Sequence, residues 1–308
     1  MEVTMDLNKK IYWIVVFFVF SLSVFLLGFM DSNAQPMEWT MVDVNKVDLV
    51  GDAHLLRFPD GKIYLIDVGY EGGGLVQYLE KRKIKKIDKV FITHFHKDHY
   101  GELFTLLKAK ISIREVYANL PDQEICDNER PWGCDFPHIL KTLDLLKQRK
   151  VSIKPVRAGE IFYNKDGTFF EALYAFDGVH TPVGKTDIND TSLIMLLTHG
   201  KIKALFTGDL NYPIGEYLSV EGQKIEADIL KIPHHGAEQA APNDFFNRVQ
   251  PKTALVPTPK NIWLSDRCKR IREYLEQKKV DTYVTGLHGD VTVFIKKDKY
   301  WVEANHFR

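Results

Sequence analysis

"VFITHFHKDHYG", Val90 to Gly101, carries His94, His96, Asp98 and His99 within six consecutive positions. Two imidazoles on alternate residues, then a carboxylate and a third imidazole, can be divided between two cations. Imidazole nitrogen and carboxylate oxygen suit zinc, and they also suit manganese or iron. A polar, histidine-rich surface loop is the plain competing reading. The apolar lead-in "IDKVFITH" reads as a buried strand, which places the four side chains at a strand end, where sites are built.

Outward from this loop, strands and helices are interspersed. "AHLLRF", the turn "PDGK" and "IYLIDVG" read as two strands and their connection, and "GLVQYLEKR" as a helix. "GELFTLLKAK" is a helix leaving the histidine loop. "FPHILKTLDLLKQRK" is an amphipathic helix with Ile139, Leu140, Leu143 and Leu146 on one side. Further strands lie in "FFEALYAF", "TSLIMLLTHG", "IKALFTGD" and "ADILKIPHHG". A helix at "NDFFNRV", the strand "TALVPT", a helix after Cys268 and the strands "TYVTG" and "DVTVFI" follow. This mixture implies sheets covered by helices. Asp67, His94 and Asp209 each follow a buried-strand pattern directly, and His234 and His235 follow another. A lone Gly-Asp after a strand is ordinarily a turn. The convergence of several strand ends, rather than any one residue, points to a dinuclear metal site.

"THFHKDHYG" resembles the signature of the metallo-β-lactamase superfamily. "MVDVNKVDLVGDAHLLRFPDGKIYLIDVG", "NDTSLIMLLTHGKIKALFTGDL" and "ADILKIPHHG" are most similar to the metallo-hydrolase domain of ComEC-type competence proteins. The resemblance implies an α+β fold, a four-layer αββα sandwich with its metals at one sheet edge. It implies two divalent metal ions, zinc first, with manganese or iron as alternatives. His94 and His96 would hold the first ion, Asp98 and His99 the second, and Asp209 would bridge them. His235 or His234 would complete the second site, the other serving as a proton donor, and Asp67 would orient a ligand from behind. Where the superfamily usually supplies another histidine, this chain has "NDTS". Asp190 is the expected ligand there, Asn189 its supporting residue, and His180 a substitute. The stretch "DVNKVDLVGDA" is longer than its ComEC-type counterpart, and the large membrane domain of competence proteins is lacking, so no transport role transfers.

The 308 residues carry equal numbers of acidic and basic side chains, 41 of each, which does not mark a nucleic-acid glove. The basic run Lys81 to Lys86 reads as a solvated helix end. Lys9 and Lys10 precede the apolar stretch Ile11 to Met30, long enough to cross a bilayer as a helix. Residues 1–34 are therefore expected to be a signal anchor or a cleaved signal peptide; Ser32 and Ala34 suit cleavage. Residues 35–308 would form one exported domain, periplasmic or extracellular. Export makes a Cys126–Cys134 disulfide plausible, while Cys268 reads as a buried, inert thiol.

The expected activity is metal-dependent hydrolysis. A hydroxide between two cations would attack, and a histidine at 234 or 235 would protonate the leaving group. The ComEC-like subgroup acts on phosphoesters, which favours a phosphodiesterase acting on a small molecule, a cell-wall polymer or nucleic acid. The alternatives are an amide or lactone hydrolase, β-lactams included, and a non-catalytic metal-binding module of the same fold. "PHHGAEQAAPND" supplies no cation to grip a β-lactam carboxylate. No obligate protein partner is implied, and the membrane is a partner only through an uncleaved N-terminal segment.

Overall fold

Side-chain alternation along the strands sets the layers. In β3 (Ile63–Val68), Leu65 and Val68 pack with Leu79, Leu103 and Leu106, whereas Tyr64 and Ile66 face Phe170 and Phe206. In β11 (Ile194–His199), Met195 and Leu197 join that same central layer, while Ile194 and Leu196 pack with Phe245 and Leu275. Because side chains alternate with period two, each sheet has a helix-covered face and a face turned to the other sheet. Three apolar layers therefore separate four structural ones, the αββα sandwich. Strands buried on both faces read as continuous apolar runs, and "IYLIDV" and "LIMLL" do. The structure, a computed structural model, describes residues 35–129, 134–177, 187–220 and 224–305. Met37–Arg308 is one compact unit. The stretch Ile11 to Met30 and His180 lie outside the described residues, and no described helix is long and apolar enough to cross a membrane.

The first sheet runs β17 (Lys299–Ala304), β16 (Val291–Lys296), β1 (Met37–Met41), β2 (Ala53–Arg57), β3, β5 (Lys89–Phe91), β7 (Glu115–Tyr117), β8 (Ser152–Lys154). The second runs β15 (Asp281–Val284), β14 (Thr253–Val256), β13 (Ile229–Lys231), β12 (Ile202–Phe206), β11, β10 (Thr168–Tyr174), β9 (Ile161–Lys165). Two short strands, β4 (Lys86–Ile87) and β6 (Ser112–Ile113), pair separately. β3 is parallel to β5, and β12 is parallel to β13. Each sheet thus sends two loops out at the carboxyl ends of neighbouring parallel strands, the usual position of sites in such sheets.

Two sequence expectations change. The strand β1, "MEWTM", was not apparent in the apolar pattern, yet Trp39 is fully buried, 4.3 Å from Phe206 between ring centroids. In the helix Phe136–Gln148 the buried residues are Ile139, Thr142 and Leu146, and Leu140 is 48% exposed. Leu140 is one residue, about 100°, round from Ile139, which takes it off the buried stripe.

Candidate metal centre

The site is assembled from four strand ends. Asp67 lies in β3 with φ +55°, and His94, His96, Asp98 and His99 follow β5. Asp209 follows β12 through Gly208, and His234 and His235 follow β13. Gly208 has φ +49°, and a Cβ there would come within 2.8 Å of Ser192 Oγ and 3.0 Å of Thr93 Cβ. Only glycine allows the chain to pass so close and turn Asp209 inward. The Asp209 N–H donates to Ser192 Oγ at 2.9 Å, which fixes the turn. His234 and His235 also have positive φ, 49° and 53°. Such strained backbone at non-glycine residues persists where surrounding contacts over-determine it, as at functional sites.

Four histidines share one arrangement. The His94 Nδ1 donates to Thr93 Oγ1 at 3.1 Å, a hydroxyl already committed to Asp67. The His96 Nε2 donates to Glu129 Oε2 at 2.7 Å, and the His99 Nδ1 donates to Asp67 Oδ2 at 2.8 Å. The His235 Nδ1 donates to the Pro257 carbonyl at 2.8 Å. Each ring is thereby held by one nitrogen and presents the other, the arrangement that orients imidazole ligands. The presented nitrogens form two groups. The His94 Nε2 and His96 Nδ1 face each other at 3.2 Å. Asp98, His99, Asp209 and His235 each offer a ligand atom, all within 4.8 Å of one another. Asp209 Oδ2 lies 3.2 Å from both His99 Nε2 and His235 Nε2. The His99 Nε2 is buried and makes no hydrogen bond despite that approach, and the Asn189 Oδ1 is a buried acceptor without a partner. Orphaned inward donor atoms of nitrogen and oxygen type fit divalent cations. Asp52, Asp67 and His99 form another cluster, in which Asp52 is ion-paired with His54 and Lys231 while Asp67 is hydrogen-bonded to Thr93 and His99.

Electrostatics follow from burial and proximity. Burial opposes the charge on His99, yet Asp209, Asp67 and Asp98 hold it well above the usual range. His235 is likewise raised, to about 9, with burial overcome by Asp209 and Asp98. Asp209 is held well below the carboxylate range, against burial, by His235, His99 and Lys231. His94 is pushed well below its usual value by burial and by His99. Protons on His99 and His235 thus counter the carboxylates, and cation binding would displace them. His234, pushed down to about 4 mainly by burial, donates from Nδ1 to Asn211 Oδ1 at 2.8 Å.

The cluster opens into a cavity of about 650 Å³, lined in part by Tyr70, His96, Asp98, Glu129, Asn189 and Arg267. Asp209, His234 and His235 also reach it. Asp190 does not line it: that carboxyl is buried and raised to about 7 by burial, Asp187 and Glu129. In the turn Ile188–Thr191 it is Asn189 that lines the cavity, although the buried Asp190 Oδ1 also makes no hydrogen bond. Arg267 corrects an expectation, since it brings a cation that the sequence around His234 does not contain.

Sequence reading also missed Glu129, Asp52, His54 and Lys231. Lys231 is fully buried, bonded to Asp52 and to the Gly208 carbonyl, with Nζ 3.4 Å from Asp209 Oδ1. Asp52 also contacts His54 Nε2 at 2.6 Å, and His54 Nδ1 accepts from Trp39 Nε1. The one signal for Lys231 was a lysine inside the apolar run "DILKIP". Cys126 and Cys134 are disulfide-bonded, Cα atoms 5.1 Å apart, and Cys268 is free and buried.

Residues 47–122 match the model of the metallo-beta-lactamase superfamily. ComE operon protein 3 of Bacillus subtilis (strain 168) is 25% identical over 221 residues, which cover 70% of this chain and 26% of that protein. The chain therefore matches only about a quarter of that relative's length. Among solved structures, CmlA, a diiron β-hydroxylase from Streptomyces venezuelae, superposes with a TM-score of 0.52 at 12% identity, over 85% of this chain and 54% of its own. Unliganded yeast PDE1 gives 0.50 at 12% identity, over 85% of this chain and 100% of its own. Identities this low speak to fold alone. The fold, the histidine loop and the match over residues 47–122 are those of the metallo-β-lactamase superfamily of metal-dependent hydrolases, the chain is similar in sequence to a ComEC-type protein, and the inward-facing side chains form a candidate metal site.

Proposed function

We propose that the protein is an exported phosphodiesterase dependent on two divalent metal ions. The observation that carries this reading is the shared orientation of His94, His96, His99 and His235, each hydrogen-bonded from behind and presenting its other nitrogen to one of two neighbouring groups. His94 and His96 would hold the first ion, with the orphaned Asn189 Oδ1 as the neutral third donor. Asp98, His99 and His235 would hold the second, and Asp209, which lies within reach of His99 and His235 and whose charge is also felt at His94 and His96, would serve as the bridging carboxylate. When bound, two such ions supply a nucleophile at neutral pH and neutralise charge on phosphoryl oxygens.

The remaining residues bind and handle protons. Arg267 offers a guanidinium suited to a phosphate oxygen. His234 lies beside the cluster with Nδ1 committed to Asn211, so in the neutral ring Nε2 accepts; protonating a leaving alkoxide requires the charged ring. Export is supported by the apolar stretch Ile11 to Met30 and by the Cys126–Cys134 disulfide, which suits an oxidising compartment. The test is metal-replete protein offered bis(p-nitrophenyl) phosphate and a chromogenic cephalosporin. Metal-dependent diester cleavage with poor cephalosporin turnover is expected. Because Arg267 would grip a lactam carboxylate as readily, cephalosporin turnover without diester cleavage would overturn this choice in favour of amide or lactone hydrolysis.

A further inference from the structure

Glu129 belongs to none of the ligand strands, yet both of its carboxylate oxygens are committed at the site. Oε2 accepts from His96 Nε2 at 2.7 Å, and Oε1 accepts from the Ile188 N–H at 2.8 Å. The first bond holds the tautomer of His96 that turns Nδ1 toward His94 Nε2. The second anchors the turn Ile188–Thr191, whose Asn189 brings the orphaned Oδ1 to the cavity. The Asp187 side chain continues the chain of contacts by accepting from the Asn189 N–H at 2.7 Å. One carboxylate therefore ties two of the three donors assigned to the first ion, His96 directly and Asn189 through its turn, while His94 is held separately by Thr93. The Glu129 and His96 side chains are only 13% and 14% exposed, so water competes little for this bond.

Glu129 lies in the stretch that the Cys126–Cys134 disulfide closes, and its N–H donates to the Cys126 carbonyl at 3.2 Å. It follows the six-residue helix Gln123–Asn128, too short to hold a position without tertiary support. The covalent bridge supplies that support, since cross-linking two residues removes conformations in which the stretch between them wanders.

We propose that Glu129 is the positioning residue of the first metal site, and that the Cys126–Cys134 disulfide holds it there, so occupancy of that site depends on the redox state of the bridge. The inference rests on the reading of the cluster as a dinuclear metal centre. Reduction converts the disulfide to two thiols by taking up two electrons and two protons from an external dithiol. It breaks no bond of Glu129 itself and acts by releasing the stretch that carries it. The second site draws on Asp98, His99 and His235, none of which touches Glu129, and should be spared.

Zinc binding to the full chain, by competition with a chromophoric chelator and by native mass spectrometry, tests this. Wild-type protein should bind two equivalents. Glu129→Ala should keep one tight equivalent and bind the other about 10- to 100-fold more weakly, with Glu129→Gln, which retains an acceptor, in between. The pair Cys126→Ser with Cys134→Ser should weaken the same equivalent, and should add nothing in the Glu129→Ala background. Circular dichroism identifies any variant that has not folded; for such a variant, reduction of folded wild-type protein with a phosphine replaces the substitution. Two tight equivalents in both Glu129→Ala and the disulfide-free protein would overturn the inference alone. A wild-type chain that takes up no zinc would instead overturn the metal reading beneath it. Additive losses from the two changes would show that the disulfide acts elsewhere than through Glu129.

Discussion

Replacing Lys231 with methionine keeps most of the stem volume and removes the ammonium. That ammonium is fully buried, and its partners are the Asp52 carboxylate, the Gly208 carbonyl at 2.7 Å and Asp209 Oδ1 at 3.4 Å. A unit pair 3.4 Å apart is worth roughly 5 kcal/mol at an effective dielectric of about 20, before desolvation is subtracted. Removing one partner of a buried pair costs about 3–5 kcal/mol, because the other charge is left uncompensated. His54 still contacts Asp52 from its other oxygen, which places the expectation at the lower end, about 3 kcal/mol. Guanidinium denaturation of metal-free Lys231→Met, followed by circular dichroism, should show that loss. Adding Asp52→Asn, which removes the stranded charge, should give a double variant less destabilised than the two single losses summed. A loss below about 1 kcal/mol, or strict additivity, would refute this account of the buried network.

Asp98→Ala and Asp209→Ala should each reduce hydrolysis to background while remaining folded, and a strong chelator should do the same to wild type; full activity in metal-free protein would count against the metal reading. Asp135 caps the helix Phe136–Gln148 by accepting from the His138 N–H at 3.1 Å, so Asp135→Ala should cost about 1 kcal/mol in thermal or denaturant unfolding. Burial opposes its charge, yet Lys97 and the His138 N–H hold its carboxyl below the ordinary value. That contribution is present above the unfolded carboxylate range and fades as pH falls through the folded value, so wild type and variant should converge in acid. Unreduced peptide maps should link Cys126 to Cys134. Cys268, pushed up to about 11 chiefly by burial, should resist alkylation at pH 8 until the protein is denatured. A reporter fused after Arg308 should be active outside the cytoplasmic membrane; activity confined to the cytoplasm would overturn the export proposal.

The histidine loop was legible because one short stretch carries members of both groups of facing side chains, and strand-end position could be read from the apolar residues ahead of it. Asp209 was legible for a similar reason, a Gly-Asp turn closing a buried run. What failed depended on residues far apart in the chain. Arg267 and Glu129 come from segments with no local sign of a site. Choosing between Asn189 and Asp190 required the register of a single 3₁₀ turn, since neighbouring residues there point about 120° apart. Strand β1 was hidden because Glu38 and Thr40 interrupt its apolar residues, and its neighbour β16 is remote in sequence.

The pairing of β1 with β16 also orders events in time. Met37 lies opposite Ile295, and β1 is hydrogen-bonded to β2 on its other side. During synthesis, β1, β2, β3 and the histidine loop emerge long before residues 291–304. Until those residues arrive, β1 is an open edge with unpaired N–H and C=O groups, the kind that recruits other strands. Closing so long a loop is entropically slow, and folding rates fall as such distant contacts accumulate. The nascent chain therefore carries its histidine loop through most of translation on an unfinished sheet, and the residues that finish the sheet supply none of the ligand atoms.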